Sequence, residues 1–479
     1  MLVGVFLVAM SISGTAVALP SIGHDLDASG SALNWIVAGY NLAFAAMTLV
    51  AGSTADRVGR RRVFIVAAFV FAIGFLATAL SPSIVIADIA RIVSGGGGAG
   101  IMAAGGAILA SSYNGATRNR AFALMGTMAG IGIAVGPTFS GLLITATGWR
   151  GSFAVFTVIG LLAALGATRT RESRSESGRA DSVGSILFVG ALTCLMFALL
   201  EAPSLGWTHR AVIATLVIGL LALVIFGIVQ RHSSSPVLAP SLVANRGFIG
   251  WSLATLTTSI GFLGVLVFLP TYLQSAAGLT PAAAGVAMLL LTAPVLIMPM
   301  VAVTLVNKGV PARALIMMAL LLVVVGNFWL MALGSENTVA VVAAPLLMTG
   351  IGMGVSFGIT DGQAMSLVPA DSVGMAAGFL NTLRGAAEAL VIAAFSASLI
   401  GLLASKLGDR THAAAVSAGR LGNNPASELD AFTWSWHMTQ LGVGILCLAL
   451  SVAVAALIFG SKANGAEGSA STSLDLNHG

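Results

Sequence analysis

The sequence predicts an all-α integral membrane protein, built as two six-helix bundles with two extra central transmembrane helices. Three observations carry that prediction. Of 479 residues, 57% are hydrophobic and only 8% are charged, where a soluble chain carries about 25% charged residues. Mean hydropathy is +0.99. The apolar residues form unbroken runs and do not alternate, which favours helices over barrel strands. Disorder is excluded, because disordered chains are charged and poor in apolar residues. A disulfide scaffold is excluded too: the two cysteines, Cys194 and Cys447, both lie in long apolar runs. The net charge of +5 is spread over loops, so it reflects topology and not nucleic-acid binding.

A spanning helix needs about 20 residues, and the chain divides into fourteen such runs. The first, 2–20, contains Ala16-Val17-Ala18, which mimics a signal-cleavage site. It lacks a basic leading region, so it reads as a span. Spans two and three, 32–51 and 63–80, flank a short arginine-rich loop. Span four, 83–110, carries Arg91 and the run Gly95–Gly98. Spans five and six are 121–146 and 151–168, with Trp149-Arg150 between them. Spans seven and eight, 183–201 and 211–230, stand between the two bundles. The remaining six are 248–274, 280–306, 312–333, 338–361, 373–404 and 434–459. Residues 405–432 are expected to form a longer external loop, and the polar tail 461–479 a disordered cytoplasmic segment. The domains are then 1–168, a two-helix linker at 169–247, and 248–460.

Charge sets the orientation. Fifteen of the 22 Lys and Arg fall in even-numbered loops or after the last helix, and five in odd-numbered loops. Arg91 and Arg384 lie within spans. Positive charge stays inside, so the even loops and both termini are expected in the cytoplasm, with the chain in the cell membrane.

The two ends of the chain echo each other. Pro20 closes the first span and Pro270 interrupts the ninth. Arg57 and Arg62 match Lys308 and Arg313 at an offset of 251, and Gly126 matches Gly378 at 252. Internal repeats of this kind build many secondary transporters, with the substrate site where the halves meet.

Three segments carry chemistry. The loop after span two reads Gly52-Ser-Thr-Ala-Asp56-Arg57-Val-Gly59-Arg60-Arg61-Arg62. Arginines alone would serve as a topology signal. An acid among them is expected to pair with one or to cap a neighbouring helix. In span five, Gly132, Gly136 and Gly141 offer close helix packing, and Pro137 bends the helix. In span four, Arg91 is a charge inside the membrane, about 12 Å from the external end by helical rise. Either it faces a partner or cavity, or it snorkels outward and is neutralised by Asp88 one turn away.

These segments resemble motifs A, C and B of the major facilitator superfamily. Motif A is complete at Gly52, Asp56, Arg57, Gly59 and Arg60, while its second-half copy has Asn307 at the acid's position. Motif C has Ser140 for one usual glycine, and motif B has Ser94 where glutamine is common. Together with Trp35…Tyr40, Trp149-Arg150 and Leu269-Pro270-Thr271-Tyr272-Leu273-Gln274, residues 1 to about 460 are similar to the 14-helix drug:proton antiporter branch. The resemblance implies that motif A is a conformational latch, that Arg91 serves proton coupling and that motif C marks antiport. One departure stands out. That branch usually carries an acid in its first span, and here the position is Ser11, with Ser13 and Ala16 also replacing pattern residues.

Span thirteen offers a replacement. Asn381, Arg384 and Glu388 share one helical face. Glu388 lies about 22 Å into a layer about 30 Å thick. Either Glu388 pairs with Arg384 one turn away and neutralises it, or the two separate and Glu388 carries a proton or binds a cation. Asp361, Glu201 and Asp88 lie near span ends, where water reaches them.

The expected function is proton-driven export of small amphipathic molecules by alternating access. The alternative is a facilitator or symporter of a specific metabolite without proton antiport. No nucleophile–base pair, metal-ligand spacing or P-loop lysine is present in the sequence, so no enzyme activity, cofactor or metal is expected. The partners are the amphipathic substrate, protons and the bilayer, with no nucleic acid and with a monomer expected.

Overall fold

The computed structural model describes residues 1–112, 115–173, 182–232, 245–334, 339–367, 373–422 and 424–460. All regular structure among them is helical. Five helices pack as a first group: α1 (Leu2–Asp25), α2 (Gly30–Val58), α3 (Arg60–Ala79), α4 (Ile84–Ser112) and α5 (Gly115–Ala167). Then come α6 (Ser182–Leu205) and α7 (Arg210–His232). The second group, taken in chain order, is α8 (Arg246–Ser275), α9 (Pro281–Ala287), α10 (Leu289–Asn307), α11 (Ala312–Trp329), α12 (Val339–Ser366), α13 (Val373–Leu407) and α15 (Pro425–Gly460), of which α9 packs chiefly on α5. The short α14 (Arg410–Ser417) lies within the stretch 405–432 read as a longer external loop. The tail 461–479 lies outside the described residues.

Twelve helices among the described residues are long and apolar enough to cross a membrane, against the fourteen expected. That twelve counts α5 once and does not include α2. The apolar part of α5 runs for 44 residues, or about 66 Å, twice the hydrocarbon thickness. It is broken at Gly148, where φ is +73°. That left-handed conformation suits glycine, so spans five and six meet in a tight turn with no loop between them.

The end of the bundle with the α2–α3 turn is here called proximal, and the end with the α1–α2 turn distal. The two groups are bound together distally and at mid-depth. Asn34 Nδ2 donates to Ser396 Oγ at 2.5 Å and Gln274 Nε2 to the Val17 carbonyl at 3.2 Å. Thr138 donates to the Gly285 carbonyl at 2.9 Å and Thr292 to that of Ala134 at 2.8 Å. Arg420 ion-pairs with Asp27 across the distal face. One apolar core runs through both groups at these levels, from Leu7 and Phe75 to Phe268 and Trp436. At the proximal end the second group has a core of its own, including Phe248, Trp251, Ile316 and Ile458. Buried apolar contact therefore joins the groups away from the proximal face.

The linker pair is attached asymmetrically. α6 packs on both α2 and α13, whereas α7 packs on α6. Glu201 of α6 accepts from Trp35 Nε1 and Ser31 Oγ of α2, both at 3.1 Å. The outer face of α7 exposes Ile213, Val217, Leu221, Val224 and Ile228, an apolar surface suited to lipid.

Candidate functional site

Motif A sits at the proximal α2–α3 turn. Gly59 joins the two helices with φ +127°. The first backbone N–H groups of a helix need partners, and here the residues before α6 supply them. Arg60 N–H donates to the Ser173 carbonyl at 3.0 Å. Glu172 accepts from Arg61 N–H at 2.9 Å and Arg62 N–H at 3.3 Å. It also ion-pairs with both guanidinium groups, at 3.7 and 3.9 Å. A carboxylate at a helix N-terminus meets the positive end of the helix dipole, so Glu172 caps α3. The side chain of Asp56 lies outside the described residues, and its expected pairing is not visible. Arg57 and Arg60 are both engaged in contacts, and Gly52 is partly buried.

Motif C works as a packing seam on two sides of α5. A Cβ on Gly132 would lie 2.8 Å from Ala9 Cβ, and one on Gly136 2.8 Å from the Met10 carbonyl. These two glycines bring α5 onto α1. A Cβ on Gly141 would run into the Pro281 carbonyl, and one on Gly285 into the carbonyl of Pro137. Gly141 and Pro137 therefore bring α5 onto α9, across the boundary between the groups. Proline at 137 has no N–H to offer the Ile133 carbonyl, and the only break in helical backbone within α5 is at Gly148.

Arg91 is 1% exposed, so it does not snorkel outward. Nor is it paired with Asp88. Nε donates to the Ile36 carbonyl at 3.1 Å, Nη2 to Thr15 Oγ1 at 3.2 Å and Nη1 to Ser94 Oγ at 3.5 Å. Its guanidinium carbon is 4.2 Å from the Tyr40 ring centroid, 5.0 Å from Phe75 and 5.6 Å from Phe153. The charge is thus held by neutral acceptors and ring faces. Beside it, Thr15, Phe75, Ser140, Ser152 and Phe153 line a cavity with a water-accessible volume of about 10 Å³, room for about one water molecule. Asp88 Oδ1 is buried without a partner among the described residues.

Arg384 also departs from expectation. Its Nη2 donates to Asp361 of α12, at 3.0 Å to Oδ1 and 3.2 Å to Oδ2. The guanidinium lies over the Phe357 ring at 4.7 Å. Glu388 is partly buried and has no hydrogen bond or ion pair among the described residues. Helix α13 runs antiparallel to α2. Gly385 packs on Ala45 and Ser396 bonds Asn34, so Glu388 stands at the level of Asn41 and Leu42. Three buried polar atoms of this region, Asn41 Oδ1, Tyr40 Oη and Ser11 Oγ, make no hydrogen bond of good geometry among the described residues. Tyr40 lies within electrostatic range of both Glu388 and Arg91, and close to Ser11. The side chain of Asn381 lies outside the described residues.

The structure thus places Glu388 level with Asn41 of α2 and within electrostatic range of Tyr40, with Ser11 and Arg91 beside Tyr40 and Arg384 one turn proximal. It does not bring Asp88 into that cluster. Asp361, near a span end where water reaches it, is nonetheless the partner of Arg384. The signal that could have raised it is its place beside Ser356 and Thr360, polar positions in an otherwise apolar helix.

Residues 1–392 match the sequence profile of the Major Facilitator Superfamily. The chain belongs to this superfamily. It is 31% identical to the puromycin resistance protein pur8 of Streptomyces alboniger, over 97% of this chain and 91% of that one. It is 30% identical to the multidrug resistance protein Stp of Mycobacterium tuberculosis, over 84% and 75%. Its fold is similar to that of an inward-facing bacterial homologue of the human lysosomal transporter Spinster, with TM-score 0.69, 15% identity and 95% of both chains covered. Members of the superfamily are membrane transporters and not enzymes, so this chain is a multi-span small-molecule transporter.

Proposed function

We propose that this superfamily member exports amphipathic small molecules in exchange for protons, by alternating access. The observation that carries the reading is Glu388. It is an acid inside the bundle, level with Asn41 of α2, with no hydrogen bond or ion pair among the described residues, and Arg384 one turn away is its nearest cation. A carboxylate in that position is a binding group for a proton or a cation. It stands in for the first-span acid whose place Ser11 takes. The relatives' names, resistance to puromycin and multidrug resistance, support export and an organic cargo.

On this reading the chain crosses the membrane fourteen times. α5 crosses twice about Gly148, and α2, 29 residues long, or about 44 Å, crosses once. The proximal face is cytoplasmic, in keeping with the arginine-rich α2–α3 turn. Residues 1–168 rock against 248–460, with 169–247 as the linker. The distal ties described above belong to a state closed to the outside. Motif A and its Glu172 cap act as the latch.

The test is uptake into inside-out vesicles with the lumen made acidic, using a panel of cationic and neutral fluorescent amphiphiles. Uptake that needs both the gradient and the protein is expected. Uptake indifferent to the gradient would sink proton antiport and favour a facilitator, the reading to which Ser11 already lends weight.

A further inference from the structure

We propose that Arg384 exchanges carboxylate partners during the cycle: Asp361 holds it while Glu388 carries a proton, and Glu388 takes it once that proton leaves. The inference rests on reading Glu388 as the proton carrier. It assigns Asp361 a role in positioning and makes the contact between α12 and α13 the part that moves.

The geometry allows the exchange without any shift of backbone. Phe357 and Asp361 lie one turn apart on α12, and Arg384 and Glu388 one turn apart on α13. Side chains four residues apart on a helix are neighbours, so rotation about the Arg384 side chain carries the guanidinium from one acid to the other. Thr255, Thr258, Ser356 and Thr360 line a cleft beside Arg384, and their hydroxyl oxygens can accept from it on the way.

Burial sets the direction. The Asp361 side chain is 43% exposed, whereas that of Arg384 is 14% exposed. When Asp361 loses its partner, water solvates it, and an exposed ion pair is weak in any case. An ionised Glu388 at mid-depth has no such recourse, because a lone charge inside the membrane is costly. The guanidinium therefore moves to Glu388 whenever Glu388 is ionised. The proton leaves to water on whichever face is open, and Arg384 keeps its charge throughout.

The groups facing Glu388 do not compete for it. From α2 come Tyr40 and Asn41, and from α13 itself Arg384; Asp361 of α12 is reached through Arg384. Arg91 of α4 lies behind the Tyr40 ring. Glu201 of α6 bonds to Ser31 and Trp35, and His437 of α15 bonds the Leu333 carbonyl, both toward the distal end. His412 of α14 is paired with Glu428 of α15, and Arg246 stands at the proximal start of α8. Helices α12 and α13 touch only briefly, so beyond the Arg384–Asp361 pair few contacts tie their proximal ends. Its release frees α13 from α12 on the side through which substrate would arrive.

The test needs no substrate. Spin labels on Ser366 of α12 and Met375 of α13, in the full chain with Cys194 and Cys447 replaced by serine, report the separation of the two helices. From about pH 5 to about pH 9, a span that covers buried carboxylates, the distance is expected to shift from short to long. Glu388→Gln should hold it short at every pH, and Asp361→Asn should hold it long. A wild-type distance that ignores pH, or a Glu388→Gln protein that still shifts, overturns the exchange. If gradient-driven transport nonetheless needs Glu388, the exchange alone has failed. If transport does not need Glu388, the reading beneath it has failed as well.

Discussion

Arg91→Ala is expected to lower the melting temperature in detergent and to cut transport by about tenfold or more, with Arg91→Lys recovering little of either. The guanidinium donates to three acceptors and lies against three rings while 1% exposed. Truncation removes those bonds and leaves a void between α2, α3, α4 and α5. Each buried acceptor left bare costs about 1 to 3 kcal/mol. Loss of a large buried side chain adds about 2 to 5 kcal/mol where the surroundings do not collapse. Lysine keeps the charge but offers a compact ammonium in place of a planar fork, so it cannot bond Ile36, Thr15 and Ser94 at once or stack on Tyr40. Thermal unfolding followed by tryptophan fluorescence measures the first effect, and vesicle uptake the second. A lysine variant that melts with the wild type would show that charge alone matters at this position.

Gly141→Val is expected to leave the protein folded and to stop transport. The valine side chain would strike the Pro281 carbonyl and lie against Ala282 Cα, where a Cβ alone comes to 3.2 Å. Both belong to α9 in the other group, so the clash falls on the boundary between the groups and spares the core of each. Overpacking against backbone costs about 1 to 3 kcal/mol. That strains the α5–α9 seam, where the backbones meet closely and Thr138 donates to the Gly285 carbonyl. The readout is the reaction of a cysteine at Thr138 with a membrane-impermeant maleimide, expected to be several-fold faster when Gly141→Val is added. Gly136→Val makes the contrast. It strikes Met10 and Ser13 of α1 within one group, so it should lower stability first. Equal labelling with and without Gly141→Val would mean that this seam does not close the distal face.

Much of this was legible in the sequence because it is local. Unbroken apolar runs give the helices, and the glycines of span five give a close-packed helix. The cost of an intramembrane charge singles out Arg91, Arg384 and Glu388. The features that were not legible depend on helices far apart in the chain. Glu172 caps α3 from 112 residues downstream of Arg60, and no local pattern marks a cap supplied from that distance. Asp361 takes Arg384 because α12 and α13 lie side by side, whereas spacing alone favours Glu388. Arg91 turns from Asp88 toward Thr15 and Tyr40, partners on α1 and α2. Spans five and six are joined directly at Gly148 and α2 falls outside the apolar count, so twelve long apolar helices appear where fourteen runs were counted.

The central claim is that Glu388 carries the proton that drives export. Its most direct measurement is proton release from the purified protein in weakly buffered detergent when a transported amphiphile is added. The account predicts that the wild type releases protons as the amphiphile binds and that Glu388→Gln, still folded, releases none. A Glu388→Gln protein that releases as many protons as the wild type would contradict it.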